Sequence, residues 1–435
     1  MCYFDTVPRG KPGGTGCKFA ATEDDHGVIR AENVTKIFGS DPQSAIPLLE
    51  EKKTKEEIRE LTGQTVGVNR ASFDIQQGEV FAIMGLSGCG KSTLIRCINR
   101  IIDPTAGQIF FKHPDRGELD ITALGEEELR TIRKQNMSMV FQHFALFPHR
   151  TVLSNVAYGL EIQGRDRRDR QAVAQRVLDM VGLGPWGRSY PSELSGGMQQ
   201  RVGLARGLAT DAEVLLMDEP FSALDPLIKV DMQQELTRIQ QELHRTILFI
   251  THDLDEAMRI GDRIAIMEDG QIIQIGTPEQ ILVNPRTDYV AKFVKHADPT
   301  GVITAGTIAL ALDSDKFISS GERDGMPYLH RQDLPNVRYG LDRDGRLHDV
   351  LLDGQKVPVR RLEEALEDAD SPTASSERTH LALTCDEDAV LRDILRSRLH
   401  STLPVIVTDG DGCVRGLIDD PELINGILEK RGQIL

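Results

Sequence analysis

Residues 85–93 read GLSGCGKST, and small residues arranged around one lysine and a hydroxyl suit the binding of a polyphosphate. Gly85, Gly88 and Gly90 let successive backbone N–H groups curl around phosphate oxygens without a clashing side chain. The helix expected directly after the loop aims its N-terminal dipole at the same anion. Lys91 is placed to reach the β- and γ-phosphates and the Ser92 hydroxyl to bind Mg²⁺, with Ser87, Cys89 and Thr93 completing the loop. Alone, the loop points to a nucleotide and leaves the class of protein open.

Its companions narrow the class. The run VLLMDE is an apolar strand ending in Asp218 and Glu219, at the C-terminal edge where open α/β sheets bind ligands. Asp218 suits a metal held through water, and Glu219 suits polarising an attacking water. A strand that merely ends in acidic residues is the rival reading, and the phosphate loop makes it a poor one. His252 ends a further apolar strand (ILFITHD) and so reaches the same edge, within reach of the γ-phosphate. Gln142 follows the strand expected over 138–141 and can touch the metal or the water. Residues 194–200 (LSGGMQQ) open a helix expected to run to Ala209. They offer the Ser195 hydroxyl, clash-free amides including that of Gly197, and a helix N-terminus. That is a second anion-binding surface, with no second phosphate loop in the chain to serve.

In this sequence LSGGMQQ resembles the signature of ABC ATPases, which reaches across a head-to-tail dimer to the partner's ATP. Residues 222–226 (SALDP) match that family's dimer-contact loop, with Asp225 facing the partner. The order and spacing of all these motifs agree with the family over residues 28–297. The resemblance implies ATP and Mg²⁺ as cofactors, a homodimer of ATPase subunits with two sandwiched ATPs, and closure that drives integral-membrane permease subunits. It implies that Phe38, in KIFG, stacks on adenine; a core aromatic at a strand end is the competing reading. The segment after Gln142, through about Leu160, is implied to contact the permease. Longer blocks, among them IMGLSGCGKST, FQHFALFPHRTV and THDLDEAMRIGDRIAIM, look like the ATP-binding subunit of quaternary-amine osmolyte importers of the glycine betaine/proline betaine type. There an extracytoplasmic substrate-binding protein captures the solute, so this chain would meet it only indirectly. The alternative is an importer for another small solute, such as an amino acid.

The elements that must position these residues give an α/β fold class. A P-loop nucleotide-binding domain over 28–297 alternates apolar strands with amphipathic helices, which signals a parallel sheet covered by helices. Clear strands are expected at 80–84, 138–141, 214–218, 246–251 and 263–268. A disordered tail is expected over 1–27, and a charged helical insert over 46–62, within about 40–65. The pattern breaks near 296–301, read as a linker. A smaller α/β module over 301–435 follows, with a D-x-D-G turn in YGLDRDGRLHDV and again in LPVIVTDGDGCVRGLI, as in a tandem repeat. It resembles the paired CBS domains of the same importers, which implies a regulatory and dimerising module. Asp419 and Glu422 stand where nucleotide-binding CBS units place a hydroxyl and then Asp, and a carboxylate there disfavours phosphate.

Composition sets the remaining bounds. The net charge of −16 argues against bulk attraction to nucleic acid or anionic lipid. No stretch approaches the ~18 uninterrupted apolar residues of a membrane-spanning helix, and the start lacks the apolar centre of a signal peptide. The chain is therefore expected at the cytoplasmic face of the plasma (inner) membrane, held there through the permease. Six cysteines without a disulfide spacing fit a reducing compartment.

Overall fold

The computed structural model describes residues 27–432, apart from 143–144, 296, 324–325, 370–379 and 399–400. The expected tail, with Cys2 and Cys17, thus lies outside the described residues except for Gly27.

The chemistry sits on a six-stranded sheet in the order Gln271–Gly276, Arg263–Glu268, Val80–Met84, Thr246–Thr251, Val214–Asp218, Met137–Val140. All neighbours are parallel except the edge hairpin formed by the first two. Val80–Met84, Val214–Asp218 and Thr246–Thr251 are buried at every position, as strands covered on both faces must be. Parallel pairing brings their C-terminal ends to one edge, so residues 85–92, 142, 218–219 and 252 converge without any long-range signal in the sequence. The strand expected at 138–141 lies one residue earlier, at Met137–Val140, which leaves Phe141 and Gln142 to the loop.

A four-stranded antiparallel sheet, ordered Thr65–Ile75, Ile29–Phe38, Ala106–His113, Gly117–Asp120, covers one side. The phosphate-loop helix Lys91–Ile98 lies between the sheets, its Leu94, Ile95 and Ile98 fully buried with Ile29, Phe111 and Ile83 in one core. That burial fixes the helix whose first turn must hold the anion.

The charged insert differs from the single helix expected over 46–62. It forms two helices, Ile46–Glu50 and Lys55–Thr62, broken at Lys52, whose φ is +59°. Thr54 and Glu57 make a reciprocal capping box that starts the second helix. Leu49 and Ile58 bury against Ile37, Ala45 and Val66, so the insert has a small core of its own.

The C-terminal region holds two unlike sheets. One is mixed, in the order Leu310–Ala311, Val414–Ile418, Val405–Thr408, Ala382–Asp386, Val359–Arg361. The other is an antiparallel meander of Phe317–Arg323, Met326–Arg331, Leu334–Leu341, Leu347–Leu352 and Gln355–Val357. The two D-x-D-G turns do share a geometry. Asp342 Oδ1 accepts from the N–H groups of Asp344 and Arg346, both at 2.9 Å. Asp409 Oδ1 accepts from those of Asp411 and Cys413, at 3.0 and 2.9 Å. The turns also bridge each other through Arg346 and Cys413. The surroundings are not two copies of one α/β unit, however, because tight turns join the first hairpin to further strands, while helices Leu391–Ser397 and Asp420–Gly432 flank the second.

The segment read as a linker is packed rather than free. Pro299 is buried, Asp298 pairs with Arg392 at 3.2 Å, and Ile303 and Ala305 enter a core continuous with that of the larger domain. The apolar run 302–312 contributes both a short helix, Ala305–Ile308, and the strand Leu310–Ala311.

Candidate functional site

The phosphate loop leaves the buried strand Val80–Met84 and turns on glycines that the surroundings require. Gly85 has φ +157°, and a Cβ there would lie 2.2 Å from the Met267 carbonyl oxygen. Gly90 has φ +111°, and its Cβ would meet the Gly67 carbonyl oxygen at 2.1 Å. Leu86, Ser87 and Gly88 form the exposed crest. Lys91 is buried, and its Nζ donates to the Gly85 and Leu86 carbonyls at 2.7 and 3.0 Å. The ammonium is thus held against the loop that it must serve.

Cys89 lies beneath the loop, with Lys91 Nζ 4.0 Å from its sulfur. Its thiol is buried in the core between the sheets, and burial pushes its pKa up. The side chain is therefore an anchor under the loop, against Gly85 and the Lys91 ammonium, and is not on the exposed crest. The Cys89 carbonyl accepts from the Gly270 N–H at 2.8 Å.

The two carboxylates at the end of Val214–Asp218 separate by role. Asp218 is fully buried and accepts from Ser92 Oγ at 2.9 Å and from Arg96 Nη2 at 3.1 Å. Glu219 turns outward with φ +49°, a strained value for a residue with a Cβ and one typical of functional sites. Its carboxylate accepts from Gln142 Nε2 at 3.1 Å and lies 3.4 Å from His252 Nδ1, with the imidazole largely exposed. A hydroxyl and carboxylates at the loop's end are hard oxygen donors, a set that suits Mg²⁺. Arg96 was not foreseen. Its signal was its place four residues after Ser92, on the same face of one helix.

Phe38 is 39% exposed at the end of its strand and does not belong to the core. Its ring covers Gly67, where a Cβ would come within 2.8 Å of it, beside Thr93. Lys36 Nζ lies 5.3 Å from the ring centroid.

Ser195 caps the helix Gly196–Ala209 by accepting from the Met198 N–H at 3.3 Å, with Gly197 behind it against Leu224. Asp225 starts the helix Pro226–Leu243, yet its exposed side chain makes no capping bond. Among the described residues, no hydrogen bond or ion pair ties Ser195 or Asp225 to the phosphate loop, so the structure forms one cluster around Lys91 and leaves these two outside it.

A phosphate loop on a parallel-sheet edge, a buried carboxylate at its hydroxyl, and a second carboxylate held by Gln and His define a P-loop ATPase site. The family model for ABC transporters matches residues 68–222. The chain is 45% identical over 399 residues to the glycine betaine transport ATP-binding protein OpuAA of Bacillus subtilis, covering 92% of each chain. It is 45% identical over 406 residues to the glycine betaine/proline betaine transport system ATP-binding protein ProV of Escherichia coli, covering 92% of this chain and 97% of that one. It is also 50% identical over 340 residues to the trimethylamine N-oxide transport system ATP-binding protein TmoW of Ruegeria pomeroyi, covering 75% and 97%. The chain belongs to the family of ABC-transporter ATP-binding subunits, ATPases whose hydrolysis is coupled to transport. Among the described residues no helix is long and apolar enough to cross a membrane.

Proposed function

We propose that this chain is the motor of an importer for glycine betaine or a related quaternary-amine solute. The observation that carries this reading is near-full-length identity to relatives named for glycine betaine and proline betaine transport, with a third named for another methylated amine. ATP binds with its phosphates in residues 85–93, Lys91 on the β- and γ-phosphates and Phe38 against the adenine. Ser92, Asp218 and Gln142 would hold Mg²⁺, which would neutralise phosphate charge there. Glu219 takes the proton of the attacking water, while Gln142 and His252 orient that water toward the γ-phosphate. Ser195, Gly197 and Asp225 serve the ATP of a second copy, which accounts for their position outside the local cluster.

The subunit works at the cytoplasmic face of the membrane with a permease, and the substrate-binding protein acts on the far side. A cavity of about 440 Å³ supports the permease contact, since Ala145, Phe147 and Tyr158 line it from the segment after Gln142. Residues 301–435 form a regulatory and dimerising module in which the second D-x-D-G turn and its flanking helices resemble a CBS unit, while the meander replaces the other. Its Asp419 and Glu422 are paired with Arg398 and Arg331, at 2.7 and 3.0 Å, which supports a module that takes no phosphate there. Uptake of labelled glycine betaine, choline and proline by cells with the whole transporter, at low and high osmolarity, tests the assignment. Uptake of an amine that Lys91→Ala abolishes is the expected result; ATP hydrolysis with no amine moved would refute the substrate class.

A further inference from the structure

Gln200 lies one turn into the signature helix Gly196–Ala209 and is 3% exposed. Both ends of its amide are engaged. Its Nε2 donates to the main-chain carbonyl of Glu219 at 3.3 Å. Its Oε1 accepts from the N–H of Ala223 at 3.1 Å, within the loop that leads to Asp225. Ser222 adds its hydroxyl and N–H to the same Glu219 carbonyl at 3.1 and 3.4 Å, and the Glu219 N–H donates to Ile250 at 3.2 Å. A residue with a Cβ persists at φ +49° only where its surroundings over-determine it, and these bonds do that. Outward of the clamp, the Glu219 carboxylate meets Gln142 and His252. At the far end of the same short stretch, Ser195 caps the helix whose N-terminus serves the second copy in the proposed dimer.

We infer that Gln200 is a positioning residue for hydrolysis: it holds the strained main chain that aims Glu219 and ties that aim to the signature helix and the 222–226 loop. The inference rests on Glu219 being the general base. A helix shift when the signature meets the partner's ATP would reach Glu219 through one amide, so each site senses whether the other is closed.

The test uses the purified full-length chain. Gln200→Met removes both bonds at similar volume and keeps a good helix former. Turnover should fall on the order of 100-fold, the cost of a misaimed catalytic group, while the dissociation constant for a fluorescent ATP analogue stays within about twofold. In the Glu219→Gln background the same change should lower the residual rate no further, since a residue acting only through another gives a non-additive pair. Gln200→Glu, which keeps the acceptor for Ala223 but sets an oxygen against the Glu219 carbonyl, should match Gln200→Met and carries the test if that variant does not fold. Near-normal turnover in either variant, or an equal proportional loss in the Glu219→Gln background, overturns the inference. Full activity of Glu219→Gln alone would instead overturn the base assignment.

Discussion

The sheet edge and the C-terminal module are built from the same kinds of parts, apolar strands joined by turns, yet their polar residues do opposite things. At the edge, polar groups converge on one loop: buried Lys91 rests on its carbonyls, Glu219 faces Gln142 and an exposed imidazole, and Ser92 shares buried Asp218 with Arg96. In the module they are consumed. Arg331 is 1% exposed and locked between Asp333 and Glu422, at 2.7 and 3.0 Å, and Arg398 holds Asp419 at 2.7 Å. A site that must exchange ligands gathers its charges at one loop, whereas a region that must hold a meander to a helix pairs them off between its own elements.

The comparison is broken most readily at the edge. Glu219→Gln removes a proton acceptor without changing the shape of the site, so turnover should drop by about 10³-fold, within the range of general-base catalysis. ATP binding should persist, and the variant should accumulate as a closed ATP-bound dimer in size-exclusion chromatography. Rapid turnover in that variant would remove the assigned base and with it the contrast.

In the module the same kind of change should act on stability and not on rate. Glu422→Ala leaves the buried Arg331 guanidinium with Asp333 alone. Arg331 keeps Asp333, so the loss stays below the roughly 3–5 kcal/mol of a buried charge left unpaired, and the variant should still melt earlier by calorimetry. Turnover below the melting range should be unchanged. Unaltered melting would mean that the ion pair does not hold the meander to the helix Asp420–Gly432.

How far each region could be read beforehand follows from where its information lies. The nucleotide motifs are short contiguous strings, and parallel strands deliver their ends to one edge by topology alone. What escaped notice there needed either long-range partners or backbone direction. Arg96 meets Asp218 across 122 positions, and the inward turn of Cys89 depends on the left-handed glycines beside it. In the insert the break was written as Thr54 and Glu57, a capping box lying inside what looked like one charged helix. The module's two turns were legible because Asp-x-Asp-Gly fixes them locally. Sheet membership was not, since a short apolar strand carries no mark of the sheet that it joins.

Two thiols place the same contrast within reach of one small experiment. Cys89 sits in the phosphate loop but is buried, and burial raises its pKa. Its reactive thiolate is therefore scarcer than for an ordinary thiol near 8.5. Cys413 sits in the second D-x-D-G turn, partly exposed, with Sγ 3.4 Å from the Asp344 carbonyl oxygen. Alkylation at pH 8, followed peptide by peptide by mass spectrometry, should label Cys413 at least about 10-fold faster than Cys89. The sign of the Cys89 shift adds a check. The unfolded thiol loses its proton first, so this group's contribution to stability is constant below the ordinary thiol range and declines as pH rises through it. Equal labelling rates would turn the Cys89 side chain toward the nucleotide, and the loop would then owe its shape to the glycines without the buried anchor.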